Sequence, residues 1–281
     1  MSFRSPPVTR RMKILCCLNA DVVSNVALNL LLPALARHDV RVGLTTRIGA
    51  AQHGGEPPPR RELRAAEQLL PLEVMFPLIE SARQPNDGRY LTFGEVERAR
   101  GIQVGPLPNP NVGEGLAFIE AFAPHLILSI RYGAIFKAAA IAVPNLGVLN
   151  LHAGLLPAYR GVLATFRALM AGEREIGCTL HYITDGTIDT GPVAGQATVP
   201  VDARRSLFAQ VLSLYPPGVA LMAHAVARLD AGERLETHVQ SGGTYYSYPS
   251  ADEWDEFARR GWRVSDASDF CELYGKYLVP G

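Results

Sequence analysis

The chain has 281 residues, and its 27 basic and 27 acidic side chains cancel at neutral pH. That balance gives no overall field to draw it to nucleic acid or to an anionic membrane, and it favours a small neutral or mixed-charge substrate. Four cysteines, Cys16, Cys17, Cys178 and Cys271, are too few for a disulfide framework and have no zinc spacing; they read as buried thiols in a reducing compartment.

The length supports one large domain, or a large domain with a small appendage, with a full hydrophobic core. Two arginines precede an apolar run near the start, but Asn19 and Asp21 interrupt it early, which argues against an export signal and for a cytoplasmic protein. No apolar stretch is long enough to span a bilayer. MKILCCLN, residues 12–19, predicts a buried first strand, and residues 22–38 a helix. RVGLTTR, 41–47, predicts a second strand. AAQHGGEPPPRRE, 50–62, reads as a surface loop from its Gly, Pro and charges.

Further strands are expected in GIQVGPLP (101–108), HLILSI (125–130), GVLNLH (147–152), IGCTLHYIT (176–184) and PVAGQATVPV (192–201). Helices are expected in EGLAFIEAFAP (114–124) and RGVLATFRALMAGE (160–173), and over 203–233 with an interruption at Pro216 and Pro217. ADEWDEFARRGW, 251–262, predicts a last short helix. Strands alternating with helices imply an α/β fold with a doubly wound, mostly parallel, Rossmann-like sheet. The expected division is a flexible amino terminus (1–11), a main domain (12–203), and a helical and aromatic carboxyl-terminal extension (204–281) packed on it.

LNLHAGLLPAYRG, residues 149–161, carries the chemistry. Side chains alternate across a strand, so Asn150 and His152 share one side while Leu149 and Leu151 take the other. The pair falls at the carboxyl end of an expected parallel strand, where open α/β sheets place ligands. An amide and an imidazole N–H together suit a developing oxyanion, and a carboxylate nearby would orient and charge the ring. Asp185 and Asp189, in the loop DGTIDTG, are the candidates. Alternation also places His181 on one face with Thr179 and Ile183, either lining the site or satisfied in the core. Arg160 suits binding a carboxylate of donor or acceptor, or capping the turn.

NLHAGLLPAYRG followed by GCTLHYITDGTIDTGP closely resembles the folate-dependent formyltransferase family, whose pattern is Asn-x-His, Leu-Leu-Pro, then Asp-x-Gly-Pro after a strand. The likeness is strongest from about residue 125 to 201 and implies the formyltransferase fold. It implies a catalytic trio of Asn150, His152 and Asp189, the donor 10-formyltetrahydrofolate, and no metal. It also implies pterin binding against backbone at Arg131, Tyr132, Gly133, Ala134, Ile135 and Phe136 and at Thr184, Asp185 and Gly186. At Gly154 many members have serine, so a contact to folate or acceptor would be missing here.

Among the family's acceptors, transfer RNA needs a basic face, which the charge balance argues against. The branch that hydrolyses the donor usually has an amino-terminal regulatory domain, whereas eleven residues precede Met12 here. A small amine or hydroxylamine is therefore the expected partner, with neither nucleic acid nor membrane. ILSIRYGAIF, LHAGLLPAYRGVLATFRAL and GGTYYSYPS look most similar to siderophore N5-hydroxyornithine formyltransferases. An amino-sugar nucleotide is the alternative acceptor, and a donor hydrolase or a non-catalytic folate-binding protein the alternative of another class.

Overall fold

The computed structural model describes residues 11–46, 56–82 and 89–278. Residues 1–10 of the expected flexible terminus and residues 50–55 of the expected loop lie outside it. Strand β1 (Lys13–Asn19) is apolar from Ile14 to Leu18 because both its faces are covered. Leu15 and Cys17 pack with Ile119, Phe122 and Phe136, while Ile14, Cys16 and Leu18 join the larger core on the other face. Helix α1 (Val22–Leu35) starts where Asp21 turns its carboxylate onto the Ser24 N–H at 2.6 Å, which satisfies one orphan donor of the first turn.

Strand β2 (Asp39–Thr45) follows, then helix α2 (Pro58–Arg64), a π-helical stretch (Ala65–Met75) and helix α3 (Phe76–Ala82). Residues 58–62 are thus helical rather than a loop. The prolines that suggested a loop stand at the start of α2, where a missing N–H costs nothing. Next come α4 (Phe93–Arg100), β3 (Gln103–Pro106), α5 (Gly113–Phe122), β4 (Leu126–Ile130), α6 (Ala138–Ile141) and β5 (Val148–His152).

The short strand β6 (Tyr159–Gly161) precedes α7 (Ala164–Ala171), β7 (Glu175–Ile183) and β8 (Val193–Pro200). The chain then runs through α8 (Leu207–Ser213), α9 (Tyr215–Asp230), β9 (Thr244–Tyr246), α10 (Ala251–Arg259) and α11 (Ala267–Leu278). Pro216 and Pro217 fall in the first turn of α9, so they start a second helix rather than kink one.

Seven strands form one sheet in the order β3-β2-β1-β4-β5-β7-β8. From β3 to β5 every pairing is parallel, and β7 and β8 close that edge antiparallel. The mostly parallel α/β architecture expected from the sequence is therefore the one observed. The direction of winding reverses between β1 and β4, and open α/β sheets place ligands outside the carboxyl ends of the strands at such a point.

The helix expected from Arg160 begins only at Ala164, because Tyr159–Gly161 pairs in parallel with β9 as a separate two-stranded sheet. Helix α11, which was not anticipated, returns to the first layer, where Tyr277 Oη donates to Asn25 Oδ1 at 2.6 Å. Cys16, Cys17 and Cys178 are buried as expected, but Cys271 is exposed on α11. Burial pushes the Cys16 thiol up to about 12, which keeps it protonated and unreactive. Among the described residues, no helix is long and apolar enough to cross a membrane.

Candidate active site

Asn150 and His152 close β5 on one face, directly opposite His181 and Thr179 of β7. Cross-strand partners on one face are in contact range, so the antiparallel edge brings His181 to the pair. His181 is buried; its Nδ1 donates to the Tyr182 carbonyl at 2.9 Å, which leaves Nε2 to accept from Asn150 Nδ2 at 3.0 Å. His181 therefore stands against Asn150 and fixes which way its amide faces.

His152 is held at both ring nitrogens. Nε2 donates to the Tyr159 carbonyl at 2.7 Å, and Nδ1 lies 3.4 Å from Asp189 Oδ2. The sequence predicts an imidazole N–H for an oxyanion; in the structure the Nε2 N–H is engaged by the Tyr159 carbonyl. Asp189 also accepts from the Gly161 N–H at 2.9 Å, and its Oδ1 is 3.5 Å from His181 Nε2. Burial alone would raise Asp189, but the facing His152 and the Gly161 N–H oppose it, and the carboxyl sits low, at about 2. Asp185, the other candidate, points elsewhere: its Oδ1 accepts from the Thr187 N–H at 2.7 Å and caps its own exposed loop.

Gly154 answers its own question. A Cβ there would come within 2.4 Å of Ala164 Cβ, 2.8 Å of His152 Nε2 and 3.0 Å of the Tyr159 carbonyl. The space a serine would need is filled by Ala164 and the His152 ring. Gly154→Ser is expected to cost about 1–3 kcal/mol of stability by overpacking. It should also lower turnover by displacing His152; urea denaturation and initial rates check the two effects. Arg160 faces the tail, with Nη2 on the Gly243 carbonyl at 3.4 Å, so its guanidinium holds the turn to the carboxyl-terminal segment.

Of the two segments expected to meet the pterin, the side chains of the first are mostly committed. Arg131 turns inward, with Nε on Asp21 Oδ2 at 3.0 Å and Nη2 on Glu67 Oε2 at 2.6 Å. Tyr132 Oη donates to the Leu107 carbonyl, and the Phe136 ring is buried. What this segment offers outward is Gly133, Ala134 and the exposed Ile135. Thr184, Asp185 and Gly186 are exposed, and a Cβ on Gly186 would stand 3.8 Å from the Phe136 carbonyl, so the two segments face each other.

The Arg131 guanidinium sits between two buried carboxylates. Arg131→Met would leave both without their cation and is expected to cost about 3–5 kcal/mol of stability in chemical denaturation.

The sequence reading missed the groups that frame the site through backbone. Asn111 pins the first segment, with Nδ2 donating to the Ile135 carbonyl at 2.8 Å and Oδ1 accepting from the Lys137 N–H at 2.7 Å. Its place in the turn-rich run LPNPNVGEG marks it as a loop residue and nothing more. Tyr159 and Gly161 act through main-chain atoms, which leave no mark in a sequence. Among the described residues, no group of three or more His, Cys, Asp or Glu side chains could hold a metal ion.

Residues 113–211 match the family model described as formyl transferase. The methionyl-tRNA formyltransferase of Kosmotoga olearia is 34% identical over 152 residues, which are 54% of this chain and 49% of the relative. The chain thus spans about half the length of the curated relatives it matches. Among solved structures, a phosphoribosylglycinamide formyltransferase from Brucella melitensis aligns over 81% of this chain and 100% of its own, with TM-score 0.53 and 19% identity.

An N-formyltransferase from Helicobacter canadensis, in complex with folinic acid and dTDP-3-aminofucose, aligns over 83% of this chain and 70% of its own, with TM-score 0.51 and 18% identity. The segment that supplies Asn150, His152 and Asp189 is therefore the one that matches the formyl transferase family, and the fold around it is the formyltransferase fold.

Proposed function

We propose that this chain transfers a formyl group from 10-formyltetrahydrofolate to the nitrogen of a small amine or hydroxylamine. The observation that carries the reading is the convergence of Asn150, His152 and Asp189 at the carboxyl end of β5, inside the family-matched segment. The two segments that face each other beside the trio, with exposed Ile135 and Ile188 on their rim, suit a flat heteroaromatic ring against backbone. Backbone at 133–136 and 184–186 would hold the donor there.

The chemistry needed is one C–N bond formed, one broken, and a proton moved from the attacking to the leaving nitrogen. Asn150 Nδ2 carries two protons and gives one to His181, which leaves the other for the oxyanion. A turn of the His152 ring exchanges the Tyr159 carbonyl for the oxyanion, and the absence of a side chain at Gly154 keeps that path open. Asp189 stays ionised across the neutral range and offsets charge on the ring as the His152–Asp189 pair relays the proton. Holding both reactants in place supplies the rest without a covalent intermediate on the protein.

For the acceptor, the motif likeness favours N5-hydroxyornithine, and the even charge balance fits a small molecule. The curated relatives favour a second reading, methionyl-tRNA, and the structural neighbours an amino-sugar nucleotide. Tetrahydrofolate release measured with each of these acceptors, and with ornithine, tests the choice. The proposal expects the highest turnover with hydroxyornithine. Preference for methionyl-tRNA or for the sugar nucleotide would replace it.

A further inference from the structure

The segment from His238 to Ser247 lies beyond the family-matched residues 113–211, yet it holds both halves of the site. His238 exchanges backbone hydrogen bonds with Val193 at 2.9 and 3.0 Å. Gln240 then donates through Nε2 to the Gly191 carbonyl at 2.6 Å and reaches the Asp189 carbonyl at 3.3 Å. One side-chain amide therefore grips the short loop that carries the catalytic carboxylate. Asp189 adopts a left-handed φ of 56°, a region that few non-glycine residues occupy and that Asp tolerates better than most.

The next residues secure the histidine side. Strand β9 is the strand partner of β6, and the Val162 N–H adds a bond to the Tyr246 carbonyl at 3.0 Å. Strand β6 is what touches the pair, through the Tyr159 carbonyl on His152 and the Gly161 N–H on Asp189. The approach of the two strands is close enough to require glycine twice. A Cβ on Gly161 would meet the Tyr246 carbonyl at 2.1 Å, and one on Gly243 the Pro157 carbonyl at 1.9 Å. The Tyr159 and Tyr246 rings stack at 6.1 Å, and the Arg167 guanidinium covers Tyr246 at 5.1 Å while Nη2 donates to the Ser247 carbonyl at 3.0 Å.

We propose that segment 238–247 is a strap that sets the His152–Asp189 geometry, with Gln240 as its positioning residue. The turnover readout rests on the formyl-transfer reading above; the geometric readout does not. Gln240→Met keeps the length and apolar stem of the side chain and removes its N–H donors. Turnover per binding site, with sites counted by titration with 5-formyltetrahydrofolate, should fall about 10- to 100-fold, the scale of a small misplacement of a catalytic group. Affinity for that folate should stay near the parent value.

The ring proton and nitrogen resonances of His152, assigned in the free protein, should shift in the same variant. A purely structural strap would instead lower the number of binding sites and leave turnover per site and the ring signals of the folded fraction unchanged, which overturns the proposal. Reduced turnover with unmoved ring signals counts against it too. If the parent transfers formyl to no acceptor, the formyl-transfer reading fails, and the His152 resonances alone decide the strap.

Discussion

His152→Ala should bind 5-formyltetrahydrofolate as the parent does and turn over about 100- to 10,000-fold more slowly, the span expected for loss of a group that moves a proton and supports an oxyanion. The expectation follows from position. His152 is buried beside the two facing segments proposed to hold the donor rather than in them, and its bonds run to Tyr159 and Asp189. Removing the ring leaves a small cavity under β6 and frees Asp189 from one partner, while Gly133–Ile135 and Thr184–Gly186 keep their places. Rates at saturating donor, set against folate titration, separate lost chemistry from lost binding. A variant with parental turnover would take His152 out of the mechanism.

Asp189→Asn should slow turnover on a similar scale, of order 10,000-fold at most by analogy with other His–carboxylate pairs. It also changes stability in a way that can be signed. The folded Asp189 carboxyl sits at about 2, below its ordinary value, so it contributes stability above the unfolded value that is lost as pH falls through the folded one. The contribution is about 2 kcal/mol on the scale of 1.36 kcal/mol per unit. Urea unfolding between pH 4 and 2, the window set by those two values, should show the parent losing that increment and the variant lacking it at every pH. Normal turnover in the variant with an unshifted pH profile would remove Asp189 from its role. Asp185 would then be the next carboxylate to test, although its oxygen is committed to Thr187.

Which parts of this could be read from sequence follows from where the information sits. Strands β1 and β4 are buried on both faces and so spell near-continuous apolar runs, IleLeuCysCysLeu and LeuIleLeuSerIle. Asn150 and His152 stand out because two polar residues at a spacing of two interrupt such a run, and alternation alone puts them together. The choice between Asp185 and Asp189 was not legible from composition, since both lie in one loop and only its path back to β5 decides which reaches His152.

Backbone contacts were hidden altogether. The Tyr159 carbonyl and the Gly161 N–H would look the same in any residue, and the pairing of β6 with β9 joins segments far apart in the chain. Residues 160–163 run straight into the helical pattern that follows them, and the bonds that keep Gly161 and Val162 out of that helix come from Asp189 and Tyr246. Gly154 looked like a lost contact until Ala164 and the His152 ring were seen to fill the space beside it. Arg131, expected beside the pterin, serves the buried carboxylates of Asp21 and Glu67 with its side chain.

The central claim, formyl transfer to nitrogen at Asn150, His152 and Asp189, is tested most directly by following the donor's formyl carbon. Incubated with 10-formyltetrahydrofolate bearing an isotope-labelled formyl group and with hydroxyornithine, the protein should place the label on the acceptor nitrogen, one for each tetrahydrofolate released. Label recovered only as formate, or a donor left unconsumed with every acceptor tried, would contradict the account.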